Sequence, residues 1–149
     1  MPIPDFNASG VLPEGEHHAS WAEFYERFAQ NAHRAELAKK LAAAGRVLRH
    51  AGCTRLWING SFVTRNAYPN DVDVLYNARE VRLALLDPAF RDKTKRKDIY
   101  GGDYLAIDMD YHVPSHPEGL MKFFQTDRDG QLKGIVVLSL STIPTAREG

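Results

Sequence analysis

Asp71 and Asp73 stand two residues apart in a run that alternates acid with valine, Asp-Val-Asp-Val. On a strand such residues point the same way, with their side-chain roots roughly 6 to 7 Å apart. At that separation two carboxylates repel by roughly 3 kcal/mol at an effective dielectric of about 20. Asp108 and Asp110 repeat the spacing further along the chain. Such a cluster is tolerated when it is solvated, when one member holds a proton, or when a divalent cation sits in it. An all-oxygen donor set suits magnesium or manganese rather than zinc, and open water positions on such an ion are completed by substrate phosphates. Two ions roughly 4 Å apart would stabilise both the attacking and the leaving oxygen of an in-line displacement.

Ten residues before Asp71 comes Gly60-Ser61, at the end of an apolar run. Glycine allows a phosphate to approach the backbone closely, and a helical turn opening at Phe62 to Thr64 would add amides to an anion site. Arg65 follows Ser61 by four residues, within reach of the same phosphate. Each feature has a plainer reading: a solvated strand face, an ordinary turn, a surface arginine. Lys93, Lys95, Arg96 and Lys97 could track a phosphate backbone or form a solvated loop. Phe123, Phe124 and Gln125 could stack on a base or pack in the core. Pro114 rules out a helical metal pair from His112 and His116, Lys133-Gly134 opens a strand, and the lone Cys53 is expected to be buried and inert.

These residues need elements to hold them. Prolines and glycines over residues 1–19 predict an irregular arm, packed through Ile3, Phe6, Val11 and Leu12. Ser20 and Glu23 have capping-box spacing ahead of a helix to about residue 30, and a second helix is expected from His33 to His50, stopped by Gly52. Strands are expected at Arg55 to Asn59 and Val72 to Tyr76. Asn77 would cap a helical stretch from Ala78 to Leu86, followed by a charged, mixed segment from Asp87 to Lys97. In the next strand Leu105, Ile107, Met109, Tyr111 and Val113 would form the core face, with Ala106, Asp108, Asp110 and His112 opposite. Turns at Pro114 to Gly119 and Asp129-Gly130 flank a helical turn at Leu120 to Phe124. Gly134 to Leu140 is a last strand, and residues 141–149 are expected to fray.

The 149 residues suffice for one core and predict a single domain. With 19 basic and 19 acidic residues, there is no bulk attraction to nucleic acid or membrane, so any such binding must come from a local patch. One cysteine allows neither an internal disulfide nor a zinc cluster. The chain shows no signal segment and no long apolar run, which makes the cytoplasm the expected location, with no membrane partner.

Taken together, Ile-Asn-Gly-Ser-Phe-Val-Thr-Arg-Asn-Ala-Tyr-Pro-Asn-Asp-Val-Asp-Val, followed by Leu-Ala-Ile-Asp-Met-Asp, resembles the signature of the DNA polymerase β-like nucleotidyltransferase superfamily. The opening Ile-Pro-Asp-Phe with Leu-Pro-Glu-Gly, and the closing Phe-Phe-Gln-Thr-Asp-Arg-Asp-Gly with Lys-Gly-Ile-Val, are similar to small stand-alone bacterial proteins built on that core. The resemblance implies an α+β fold: a short mixed sheet flanked by helices, with the N-terminal helices packed on it and the acids along one sheet edge. It implies that Gly60 and Ser61 hold a nucleoside triphosphate and that Asp71 and Asp73 bind the metals. Asp108, with Asp110 as the alternate, would complete the site and favour deprotonation of an attacking hydroxyl. The implied reaction moves a nucleoside monophosphate to a hydroxyl of a protein or RNA acceptor, as in AMP transfer to a toxin or antitoxin partner. The other class implied is a catalytically silent module that senses nucleotides or binds a partner, as a homodimer or with a cognate protein. Asn59 stands where that superfamily usually has an apolar residue, and its usual second, substrate-binding domain is not expected within these 149 residues.

Overall fold

A computed structural model describes residues 3–108 and 133–145. Five strands and three α-helices are present: β1 (Glu16–Ala19), α1 (Trp21–Phe28), α2 (Ala32–His50), β2 (Arg55–Asn59), β3 (Val72–Asn77), α3 (Lys93–Tyr100), β4 (Gly102–Ile107) and β5 (Ile135–Ser139). The strands form one mixed sheet in the order β1-β5-β2-β3-β4. β2 runs antiparallel to both of its neighbours, whereas β1 pairs with β5, and β3 with β4, in parallel. This is the mixed sheet of an α+β fold.

The helices form where local chemistry supports them. Ser20 caps α1, its side chain accepting from the Glu23 amide while the Glu23 carboxylate accepts from the Ser20 amide. This capping box satisfies two amides that the first turn cannot pair. Asn31 caps α2 by accepting from the Arg34 amide. Period-2 burial then sorts the strands. Leu56, Ile58, Val72, Val74, Tyr76, Tyr104, Val136 and Leu138 face one way and pack with Phe24, Phe28, Leu37, Leu41 and Leu48 from the helices. Phe62, fully buried, joins this layer 5.8 Å from the Phe24 ring and 6.4 Å from that of Phe28. On the opposite face Trp57, Leu75, Ile107, Ile135 and Val137 form a smaller buried cluster.

Four expectations need correction. The N-terminal arm is not wholly irregular: residues 16–19 add an edge strand, whose Glu-His-His-Ala sequence is poor in strand formers and is held by pairing with β5. The stretch from Ala78 to Leu86 makes two short 3-10 turns rather than a helix. Leu83 and Leu85 are 62% and 40% exposed, so there is no apolar stripe to bury and nothing to sustain a longer helix. The charged segment instead ends in α3, capped by the Asp92 side chain on the Thr94 and Lys95 amides. Its end is anchored by Tyr100, whose ring stacks on Phe90 at 4.7 Å. Finally, the tail does not fray at residue 141: Ile143 is buried, and Arg46 and Arg49 donate to the carbonyls of Pro144, Leu140 and Ile143. The expectations for Asp110, His112 and His116, for the turns and helical turn between residues 114 and 130, and for Phe123 to Gln125 lie outside the described residues.

Candidate functional site

β2 ends in Gly60, which adopts φ +76°, a conformation that L side chains resist. A second constraint acts on it, because a Cβ at Gly60 would collide with the Asp73 carboxylate. The chain then makes the expected helical turn, Ser61–Val63, and buries Phe62 and Val63 as anchors. Asn59 faces Asp73 across the β2–β3 ladder. The glycine turn and the Asp-x-Asp strand are therefore in contact at the Gly60 and Asp73 positions.

The third acid is Asp103. Asp73 and Asp103 are register partners across β3 and β4, and one oxygen from each of Asp71, Asp73 and Asp103 fits within 4.8 Å of the other two. Asp108, the expected third carboxylate, is corrected here. Strand parity puts it on the other side from Asp103, and it pairs with Arg79 at 2.9 Å, beyond the end of β4. The parity was available in the sequence: Asp103 lies two and four residues before Leu105 and Ile107, so it shares their face. The acids thus flank the smaller apolar cluster, and Leu105, assigned to the core face, is half exposed.

Asp73 carries the strain of the cluster. Burial, then repulsion from Asp71 and Asp103, pushes its carboxyl from 3.8 up to about 6, against a smaller opposing pull from Lys133. The cleft beside it, about 260 Å³, is lined by Asn59, Gly60, Asp73, Asp103, Leu105 and Lys133 among others. Lys133 is thus a cation of the site, although its position in the sequence suggested only the start of a strand. Arg96 is the second basic residue that local sequence reading placed elsewhere. It is the half-buried member of its Lys-rich run, donating to the Phe90 carbonyl at 2.6 Å and reaching Asp103 at 3.4 Å. Arg65 does not line this cleft; its guanidinium lies over the Phe6 ring, 5.9 Å from the centroid.

The loop between β2 and β3 is held from behind by Arg34, which is 5% exposed. Its guanidinium has no carboxylate partner among the described residues and instead donates to the carbonyls of Phe28, Phe62, Thr64 and Asn66. Burial lowers its pKa, yet a guanidinium keeps its proton in a protein, so these carbonyl dipoles are what balance its charge. His33 and Asn31 add bonds to the Pro69 and Ala67 carbonyls at 2.5 and 2.8 Å. The first turn of α2 thereby sets the path of the chain from Gly60 to Asp71. No local sequence pattern marks Arg34, since its partners are backbone atoms distant along the chain.

An all-oxygen set of three converging carboxylates fits a hard divalent cation, and among the described residues these three are the one group of its kind. A larger cleft of about 540 Å³ at the other end of the sheet mixes His18, Glu23 and Arg55 and gathers no comparable ligand set. No helix among the described residues is long and apolar enough to cross a membrane. Residues 4–139 match the family described as a family of unknown function (DUF6932), and the chain belongs to that family. No curated protein and no solved structure matches it.

Proposed function

We propose that this chain is a nucleotidyltransferase that takes a nucleoside triphosphate and passes its nucleoside monophosphate to an acceptor hydroxyl. The observation that carries this reading is the convergence of the Asp71, Asp73 and Asp103 carboxylates, two of which, Asp73 and Asp103, line a cleft together with Gly60. Asp71, Asp73 and Asp103 would hold magnesium or manganese, which when bound supplies charge neutralisation at the phosphates.

The remaining chemistry belongs to the chain. Gly60 and Ser61 receive the phosphates on backbone amides and a hydroxyl, and Lys133 supplies a positive charge on the same cleft. A carboxylate of the acidic cluster accepts the acceptor's proton. The acceptor oxygen forms its bond to the α-phosphorus as the bond from that phosphorus to the pyrophosphate oxygen breaks. The proton leaves to the carboxylate, and pyrophosphate carries off the negative charge. Positioning and electrostatic preorganisation do most of this work.

A specific observation favours a second reading, that of a nucleotide-sensing or partner-binding module without turnover: Arg96 already occupies Asp103. One experiment separates the two. The protein is incubated with each α-labelled NTP, magnesium or manganese, and RNA and protein acceptors, beside Asp71→Asn and Asp103→Asn. Transfer that falls by at least about a hundredfold in both variants supports the enzyme. Nucleotide binding without transfer under every condition overturns it in favour of the module.

A further inference from the structure

We propose that the groove between α1 and the β2–β3 loop seats the 3′-terminal nucleotides of a single-stranded RNA, which makes RNA the acceptor of the neighbouring acidic site. This assignment rests on the nucleotidyltransferase reading for the acceptor role, although the groove itself is independent of it.

The groove, about 260 Å³, is lined by Phe6, Arg27, Gln30, Asn31, Thr64 and Arg65, together with buried Phe28 and Arg34 and the exposed Ala67. None of these described lining residues is an acid; Glu23 and Glu26 border the adjoining cleft that shares Arg27 and Gln30. The Arg27 and Arg65 guanidinium groups lie 4.4 and 5.9 Å from the centroid of one ring, Phe6. Two like charges brought to one ring repel, and among the described residues neither has a carboxylate within ion-pair distance. Among the described residues the Arg27 guanidinium donates one hydrogen bond, to the Ile3 carbonyl at 3.2 Å. The third arginine, Arg34, lies behind them with its donors spent on carbonyls, which leaves Arg27 and Arg65 as the cations that face the groove. In a protein of net charge zero, this is a local cationic patch, and planar guanidinium forks match phosphate oxygens.

What turns an anion groove into a polynucleotide site is the order of side chains leading from it. Arg65, Tyr68 and Asp71 follow one another at intervals of three along a loop fixed by Arg34, His33 and Asn31. Tyr68 is 70% exposed, more than any other large hydrophobic side chain among the described residues, and it meets His33 only edge-on at 5.9 Å. Along the chain, a cation for the phosphate and an exposed ring for a base thus precede the first carboxylate of the acidic cluster. Bases are free to stack in this way only in a single strand. The exposed carboxamide of Gln30 offers both a donor and an acceptor to a ribose 2′-hydroxyl, the group that distinguishes RNA from DNA. An acidic polypeptide taken by the same arginines is the alternative that polyglutamate competition tests.

Fluorescence anisotropy with a short unstructured RNA, its DNA counterpart and polyglutamate as competitor tests the assignment. RNA should bind with steep salt dependence. Arg27→Ala/Arg65→Ala should weaken it at least about tenfold and reduce the salt slope by about two. Tyr68→Ala should cost about tenfold, with Tyr68→Phe close to wild type, and Lys39→Ala at an exposed position of α2 should change nothing. Arg65→Ala alone, at an exposed position, carries the test if loss of Arg27 unfolds the protein. Wild-type affinity in the folded arginine variants, equally tight DNA, or equal displacement by polyglutamate overturns the proposal. Manganese binding to the acids is measured on the same preparations. Its loss refutes the nucleotidyltransferase reading, whereas RNA failing with manganese intact refutes the RNA assignment alone.

Discussion

Asp73 combines three environments in one carboxyl: partial burial, two acidic neighbours, and contact with the Gly60 turn. Because the folded carboxyl keeps its proton to about pH 6, against 3.8 ordinarily, folding takes up protons between those values. The metal-free protein should therefore lose stability as pH rises from about 4 to about 6, by about 1–2 kcal/mol after discounting for the solvent that reaches the carboxyl. Above that window the cost is fully present. Asp73→Asn should remove this slope and raise the metal-free melting temperature at pH 7, while abolishing manganese binding. Thermal melts across the pH range with and without manganese check both outcomes, and an unchanged slope in the variant contradicts the burial account. The residue scale also shows what local reading misses. The grouping of Asp71 with Asp73, and the glycine turn beside them, were legible from type and spacing. Asp103 was missed in favour of Asp108 because the acidic face was taken from the Asp-x-Asp repeat, and the register of β4 against β3 was not visible.

At the scale of elements, the site depends on two close approaches. Gly102 lies against the Val72 backbone, where an added Cβ would collide with the main chain. Gly102→Ala should push β4 away from β3, cost about 3 kcal/mol or more in urea unfolding, and weaken manganese binding by moving Asp103. Wild-type stability in that variant would contradict the register. Arg34 is the other tie. Arg34→Met leaves at least four buried or half-buried carbonyls without their donor, with an expected loss of about 3–5 kcal/mol. Amide exchange of the loop between Gly60 and Asp71 should accelerate more than that of β2 and β3. Exchange that rises uniformly would show that Arg34 stabilises the whole fold without specifically holding the loop. Helices α1 and α2 were legible because their caps and apolar spacing are local. α3 was not, because its anchor, the stacking of Tyr100 on Phe90, forms between turns of chain whose own pattern is only charged.

Across the whole molecule, the sheet separates two jobs. Its helix-covered face holds most of the apolar core, and the opposite face combines a small apolar cluster with the three acids at one end. The cationic groove and the start of α2 stand at that same end, joined to the acids by the β2–β3 loop. The α+β fold implied by the resemblance is present as a mixed sheet with three α-helices, and the single cysteine left oxygen ligands for the candidate metal site, because ligand chemistry is a property of residue type. Period and caps determined two helices, the strands β2, β3 and β5 and the turn after Gly60, since each is decided within a few residues. Tertiary structure alone decided which third acid joins the pair, which arginine is buried behind the loop, and which is left facing the groove. Those outcomes depend on strand register and on backbone carbonyls brought together from distant segments, and neither carries a mark in the local sequence.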